Sequence, residues 1–187
     1  MVGIIVAINC KGIYAHNEIE TEEPNIPWHL KSDFLNFKKV TLGNGNNVIL
    51  MGTKTRESIP RNLPGRKNVV VSSQGREFSK NETFTSLREA LIVLSHRHVD
   101  LWILGGRRLW LEALGYADLI SLTLIRKPIL PNKSTLFCPE LIPGSKALKN
   151  FQIIDKETQF FEADLTRGDE ANFSIFTLKR VKEKILV

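Results

Sequence analysis

The 187-residue chain is 42% hydrophobic and 25% charged, enough apolar surface for a sizeable core in a single domain. That balance excludes an intrinsically disordered chain, and 12 Gly and 8 Pro exclude collagen-like and low-complexity readings. Lys and Arg outnumber Asp and Glu by 26 to 20, a net charge of +6 with a pI near 9.4; this suits nucleic acid, an acidic membrane surface or a phosphorylated small molecule, and does not choose among them.

The first apolar run, 3–7, has strand length and turns polar at Asn9-Cys10-Lys11. It lacks a basic leader and is too short for a secretory core with a cleavage site, and no run reaches the length that spans a bilayer. A soluble, cytoplasmic chain is the expectation. The two cysteines, Cys10 and Cys138, build no metal cluster or disulfide framework, although one bridge stays open. Cys10 reads as a small buried hydrophobe.

The stretch from Trp28 to Phe37 reads as a helix with Leu30, Asp33, Phe34 and Phe37 on one face, at i, i+3, i+4 and i+7. Asp33 is then an acid on an apolar side. Either it is desolvated with a raised pKa, suited to binding or donating a proton, or it is a first-turn acid stabilised by the helix dipole and tipped toward water. Spacing alone leaves both open.

Two further strands, 48–51 and 101–104, run into turns of small and basic residues: Gly52-Thr53-Lys54-Thr55 and Gly105-Gly106-Arg107-Arg108. Glycine lets a ligand approach the backbone, and free N–H groups at the next helix start favour an anion. Two such turns in one small α/β domain point to a ligand with several phosphates, yet neither is a G-x-G-x-x-G fingerprint or a P-loop. From Lys54 to Lys67 five basic residues face one acid, Glu57, either as a solvated basic face or as separate anion contacts. Arg66 follows the turn Pro64-Gly65 and leads into the strand 69–71, placed to grip a carboxylate bidentately.

Downstream, Leu87, Ala90, Leu91 and Leu94 mark a helix that Ser86-x-x-Glu89 opens as a capping box. His96 and His98 lie in a polar linker with no third ligand, so no metal site is expected. Trp102 and Trp110 read as core. After the strand 119–125, two C-terminal strands, 150–154 and 173–178, joined by the polar, acidic connection 155–170, suggest an antiparallel edge. Strands alternating with helices predict an α/β fold with a mixed, mainly parallel central sheet, helices on both faces and an antiparallel C-terminal hairpin. No repeat or linker divides the chain, so 1–187 is read as one domain. The basic tail 179–184 reads as a solvated strand end.

Taken in order, these pieces resemble dihydrofolate reductase over nearly the full length: Ile5-Val6-Ala7, Ile26-Pro27-Trp28, Asp33-Phe34 with Phe37, Met51-Gly52-x-Lys54-Thr55, Glu57-Ser58-Ile59, Leu63-Pro64-Gly65-Arg66-Lys67-Asn68, Ser72-Ser73, Leu104-Gly105-Gly106, and Ala117-Asp118 before Leu122-Thr123. The resemblance implies the three-layer dihydrofolate-reductase-like fold and NADPH-dependent reduction of 7,8-dihydrofolate to tetrahydrofolate. It implies Asp33 as the acid of the pteridine pocket, Thr123 as its hydrogen-bond partner and Trp28 as a residue that places an ordered water. It implies Ile5, Phe34, Phe37, Ile59 and Leu63 as the pocket wall and Arg66 as the clamp on the substrate's α-carboxylate. For NADPH it implies Ala7 and Ile13 near the nicotinamide and Thr55, Gly105 and Gly106 near the pyrophosphate. Thr53, Lys54, Ser72, Ser73, Leu104, Arg107, Arg108 and Leu109 complete the cofactor set, with Lys54, Ser72 and Arg108 toward the 2′-phosphate. Dihydrofolate and antifolates are the implied small-molecule partners, with no nucleic acid, no membrane and a monomeric state.

Several positions depart from the family's usual pattern. Arg107 stands in place of a third glycine, which requires either an ordinary φ there or a rebuilt turn, and adds a cation near the pyrophosphate. Arg56 replaces a frequent aromatic, Thr53 stands where Arg is common, and Pro60 replaces a frequent glycine. Residues 18–23 lengthen the loop before Pro27 with four acids, Glu18, Glu20, Glu22 and Glu23. Two rivals stand beside this reading. One is a reductase of the same fold acting on another pterin or a pyrimidine, disfavoured by Asp33, Phe34 and Arg66 together. The other is a basic nucleic-acid module, which needs a stripe of cations with interleaved aromatics.

Overall fold

The computed structural model describes residues 1–17, 24–78, 80–96 and 99–181. Its first strand, β1 (Val2–Asn9), is apolar on both sides because both sides are covered. Ile4, Val6 and Ile8 pack into one cluster and Ile5 into another, as the two-residue period of a strand dictates. The other elements, in chain order, are β2 (Ile13–Asn17), β3 (Pro24–Asn25), α1 (Lys31–Leu42), β4 (Val48–Gly52), α2 (Thr53–Glu57), β5 (Lys67–Val71), β6 (Glu82–Phe84), α3 (Leu87–Ser95), β7 (Leu101–Gly105), α4 (Arg107–Ala113), β8 (Leu119–Ile125), β9 (Thr135–Phe137), β10 (Phe151–Ile153), β11 (Gln159–Phe161) and β12 (Phe173–Arg180).

The main sheet runs β10-β12-β8-β1-β7-β4-β5-β6, with β11 also on β12. From β8 to β6 all neighbours are parallel, and β12 is antiparallel to β8, β10 and β11. A small second sheet pairs β2 with β3 and β9. Phe37 and Val40 of α1 cover the Ile5, Ile49, Met51 and Val70 face. Leu87, Ala90, Leu91 and Leu94 of α3, with Leu109, Trp110 and Ala113 of α4, cover the opposite face. The three layers and mixed, mainly parallel sheet therefore hold, and no helix among the described residues is long and apolar enough to cross a membrane.

Four local expectations change. α1 starts at Lys31 rather than Trp28, because Leu30 takes an extended conformation and bridges to Asp169. The C-terminal edge is more than a hairpin: the connection read as polar contains β11, whose Phe161 stacks on Phe173 at 4.6 Å, a pair of rings that outweighs its polar neighbours. Cys10 is exposed rather than buried, its thiol 3.5 Å from the Ile125 carbonyl. Ser86 accepts the Glu89 N–H as foreseen, while Glu89 reaches back to the N–H and hydroxyl of Thr85 instead of to Ser86. Trp102 and Trp110 are core residues, as expected. His98, acids 18–23 and tail residues 182–184 lie outside the described residues.

Trp102 lies flat across Gly3, its partner in the β1–β7 ladder; a Cβ at Gly3 would come within 2.6 Å of the indole. Gly3→Val should therefore displace the indole and destabilise the fold by about 1–3 kcal/mol, as overpacking does. Urea unfolding checks it; an unchanged midpoint would show that the indole repacks freely.

Candidate active site

The start of α1 is held from a distant loop. The Lys31 N–H donates to the Gly168 carbonyl (3.1 Å), and the Ser32 N–H and hydroxyl donate to the two carboxylate oxygens of Asp169 (2.8 and 2.6 Å). These bonds satisfy donors that a helix N-terminus otherwise leaves to water. Asp169 is fully buried and paired with Arg167. Burial pushes its carboxyl up, but Arg167 and Ser32 outweigh that and hold it below the usual range. Beside it, Glu170 accepts the His29 N–H (2.7 Å) and the Lys127 ammonium (2.6 Å), and Lys127 also donates to the Pro27 carbonyl (3.2 Å).

On the next residue sits Asp33, half-buried. Its Oδ1 accepts the Thr123 hydroxyl at 2.6 Å, from the middle of β8, where Thr123 pairs with Ala7 of β1. Burial raises the Asp33 pKa; the Thr123 hydrogen bond works against that, and the nearby charge of Asp169 adds to it, for a net rise. Both sequence readings thus contain a part of the truth: Asp33 is a first-turn acid, yet it is desolvated. Trp28 packs with Ala7 against the Leu30, Ile125 and Phe173 cluster next to it.

Ile5, Phe37, Ile59 and Leu63 meet in one apolar cluster, while Phe34, 63% exposed, stacks on Phe37 at 6.2 Å and presents its other face outward. At the far side of Phe37 stands Arg66, its guanidinium carbon 5.9 Å from the ring centre. Its Nη1 donates to Thr41 Oγ1 (2.7 Å) and its Nε to the Pro64 carbonyl (3.1 Å). The turn carrying it is laced by Asn68, which bonds both ways to Leu63 and donates to the Arg66 carbonyl, with Gly65 at φ +70°. Arg66 has no carboxylate partner among the described residues, and burial lowers its pKa. A fixed, partly desolvated guanidinium with Nη2 uncommitted is a receptor for an acid.

The two glycine turns abut. A Cβ at Gly52 would sit 3.6 Å from the Gly105 carbonyl, and one at Gly106 would sit 3.8 Å from the Thr55 hydroxyl and 4.0 Å from that of Tyr14. Gly105 has φ +128°, a conformation that side chains rarely adopt, and a Cβ there would strike Trp110. Arg107 needs no glycine, since it opens α4 with an ordinary helical backbone. Its added cation does not stay free for phosphate: Nε and Nη2 both bond Glu140, the former at 3.3 Å. Arg56 is likewise committed, to Asn81 Oδ1 (3.0 Å) and the Ile59 carbonyl (2.7 Å). Lys54 and Arg108, both exposed, form no ion pair among the described residues, and Thr53 opens α2.

Four of the expected cofactor positions are sealed or turned away. Ile13 has no exposed surface, because strand alternation gives the site-facing position to its neighbour Tyr14, whose ring meets Trp110 edge-on at 5.1 Å. Ser72 is buried with its hydroxyl accepting the Arg76 N–H (2.9 Å), leaving Ser73 as the exposed serine of the pair. Leu104 and Leu109 are buried packing residues. Tyr14, Arg76 and Asp169 went unread in the sequence. Tyr14 was reachable by alternation along β2, whereas nothing local marks the other two.

Because Asp33 keeps its proton to higher pH folded than unfolded, its contribution is most favourable with the proton on and is lost as pH rises from the ordinary carboxylate range through its raised value. Asp33→Asn, which keeps the Thr123 bond and cannot ionise, should be more stable than the parent at neutral pH, the gap closing below the carboxylate range. Chemical unfolding across pH tests this, and a gap independent of pH would mean that Asp33 is not desolvated.

The chain matches the dihydrofolate reductase family over residues 2–178. It is 44% identical over 112 residues to the dihydrofolate reductase type 3 of Salmonella typhimurium, covering 59% of this chain and 67% of that protein. It is 38% identical over 110 residues to the dihydrofolate reductase of Bacillus subtilis (strain 168), covering 58% of this chain and 63% of that protein. The aligned part thus spans about two thirds of the first relative's length and less of the second's. Among solved structures, the dihydrofolate reductase from Enterococcus faecalis complexed with NADP(H) and RAB-propyl shares the fold, with a TM-score of 0.79 over 97% of each chain at 21% identity. With the match running from the first strand into the last, this chain belongs to the dihydrofolate reductase family.

Proposed function

We propose that this chain reduces 7,8-dihydrofolate to tetrahydrofolate with NADPH, acting as a single-domain cytoplasmic monomer. The observation that carries the reading is the pairing of a desolvated carboxyl, Asp33 on Thr123, with an acid receptor, Arg66, across an apolar wall of Ile5, Phe37, Ile59 and Leu63. A substrate with a hydrogen-bonding bicycle at one end and a carboxylate tail at the other suits this spacing of chemistry. A pterin or pyrimidine without the tail would leave Arg66 unused.

The residues present fit the cofactor. Bare glycine backbone at Gly52, Gly105 and Gly106 makes room for a pyrophosphate, the Thr55 and Tyr14 hydroxyls flank it, and Lys54 and Arg108 keep uncommitted charge nearby. Bound NADPH would supply the hydride that forms the new bond at C6. The chain's part is to hold the pteridine by its 2-amino and N3 side on Asp33 and to favour the proton that ends on N5. A carboxyl with a raised pKa keeps a proton closer to neutral pH, where it assists that transfer, with water carrying the proton. Thr123 fixes the carboxyl's orientation, and Trp28 stands beside it to position that water. Phe34 and Phe37 offer faces for the benzoyl ring, and Arg66 holds the α-carboxylate. Antifolates that mimic the bicycle would compete for the same carboxyl.

Following the near-ultraviolet absorbance of NADPH with dihydrofolate should show rapid oxidation, reduced about 10²–10⁴-fold in Asp33→Asn near neutral pH and partly recovered at low pH. Dihydrofolate-independent behaviour, with NADPH demonstrably bound, would leave the fold and overturn the substrate. Arg66→Leu should raise KM for dihydrofolate about tenfold to a hundredfold, the worth of a hydrogen bond to a charged group, with kcat little changed. For a folate analogue lacking the glutamate the variant should make no difference; an equal loss for both substrates would remove the carboxylate role.

A further inference from the structure

We propose that Asp169 and Arg167 are a pair of positioning residues for the reaction: they hold Asp33 turned toward Thr123 and set the charge that its carboxyl faces. The inference deepens the reading above and rests on it, since it takes Asp33 as the acid that favours the proton on N5. Asp169 has no exposed surface, so it acts on a substrate only through Asp33.

The turn 164–169 places Asp169 independently of the helix that Asp169 caps. The backbones of Asp164 and Asp169 bond each other in both directions (2.7 and 2.9 Å). Asp164 Oδ1 accepts the N–H groups of Thr166 and Arg167 (3.0 and 3.1 Å) and the Thr166 hydroxyl (2.6 Å). Gly168, at φ +90°, lies so close to α1 that a Cβ on it would stand 3.3 Å from the Lys31 Cβ. All three guanidinium nitrogens of Arg167 are spent inside the same turn: Nε on Asp169, Nη1 on Asp164 Oδ2 (3.4 Å) and Nη2 on the Glu162 carbonyl (2.7 Å). A carboxylate delivered this way is a template on which the helix start is built.

Direction follows from which donors are taken. An acid at the third helical position ordinarily turns back to the N–H groups of its own first turn. Gly168 and Asp169 already hold the Lys31 and Ser32 N–H groups, and the Thr123 hydroxyl is what remains for Asp33. Charge follows from what surrounds the acid. On α1 the neighbouring ion is Lys31, which is exposed, as is His29 just before the helix. From β8 comes the neutral Thr123, and from the Trp28 side only apolar groups. On the facing turn Glu170 is paired with Lys127, and Asp164 with Arg167. Asp169, bonded to the residue next to Asp33, is therefore the ion that Asp33 feels, and Arg167 governs how much of its charge is left.

The two partners should thus act in opposite directions. The test follows the Asp33 carboxyl by NMR across pH in ligand-free protein carrying carboxyl-labelled aspartate, its resonance identified by its loss in Asp33→Asn. Asp169→Asn removes the negative charge and leaves Arg167 in excess, so Asp33 should release its proton at lower pH than in the parent. Arg167→Gln leaves Asp169 ionised on the two Ser32 donors but no longer offset, so Asp33 should hold its proton to higher pH. Arg167→Lys keeps the charge and should keep the parent's midpoint. In single turnovers with NADPH and dihydrofolate, the rate near neutral pH should fall about three- to tenfold in Asp169→Asn and rise in Arg167→Gln. Midpoints that stay put, or that move the same way in both variants, would reduce the pair to a structural tie and overturn the proposal while leaving the role of Asp33 intact. Midpoints that move apart without the rate profiles following would instead remove Asp33 as the acid, and with it the reading on which the proposal rests.

Discussion

The substrate end depends on one constraint: the first turn of α1 is capped by a residue other than its own acid. Leu30 at the helix start has no side chain that can cap, and Asp33 is the only acid in the first turn. In isolation Asp33 would bend back to the free N–H groups. Here Gly168 and Asp169 take those donors, so Asp33 is released to reach across to Thr123. The cost is a second buried carboxylate close to the first. Arg167 offsets it by holding Asp169 ionised, and the residual charge of Asp169 then helps to keep a proton on Asp33.

Sheet topology turns this local device into a site. Thr123 sits on β8, between the parallel β1 and the antiparallel β12, so the Asp33 partner comes from the buried interior of the sheet. Beyond β1, the glycine ends of β7 and β4 lie against one another, the Gly105 carbonyl 3.6 Å from where a Cβ at Gly52 would stand. Ile5 faces α1 while Ile4 and Val6 face α3 and α4; a slip of one residue in β1 would exchange these faces and close the pocket.

What could be read from the chain follows how far apart the determining contacts lie. α3 was legible because its apolar spacing and its cap are both local. The strand-to-turn pieces, Asp33 with Phe37, and the Arg66 turn were legible through their order. The α1 start was misplaced because it is set by Asp169, 137 residues beyond Ser32. β11 was hidden by the polar residues around two aromatics, and the sealed Ile13 by a one-residue ambiguity in which face of β2 meets the site. Arg107 is the instructive case. Its place beside the glycines suggested a phosphate contact, yet Glu140, brought in from 33 residues away, claims it.

The same lesson applies to the whole positive balance. A net charge of +6 invited a polyanion, but charge says little until each cation's partners are known. Arg56 bonds a carbonyl and an amide, Arg180 bonds the Ala117 and Leu114 carbonyls while resting 4.6 Å from the Phe151 ring, and Arg107 and Arg167 answer acids. These arginines tie segments together and offer little attraction to a distant phosphate chain. Of the cations at the candidate site, those with donors uncommitted among the described residues fall at two separate places: Nη2 of Arg66 beside Phe37, and Lys54 and Arg108 in the turns that follow β4 and β7. A nucleic-acid surface needs a continuous track of such groups. Two short clusters, with an apolar wall and a tethered acid between them, instead suit two small ligands that each carry anionic groups at one end and meet at the other.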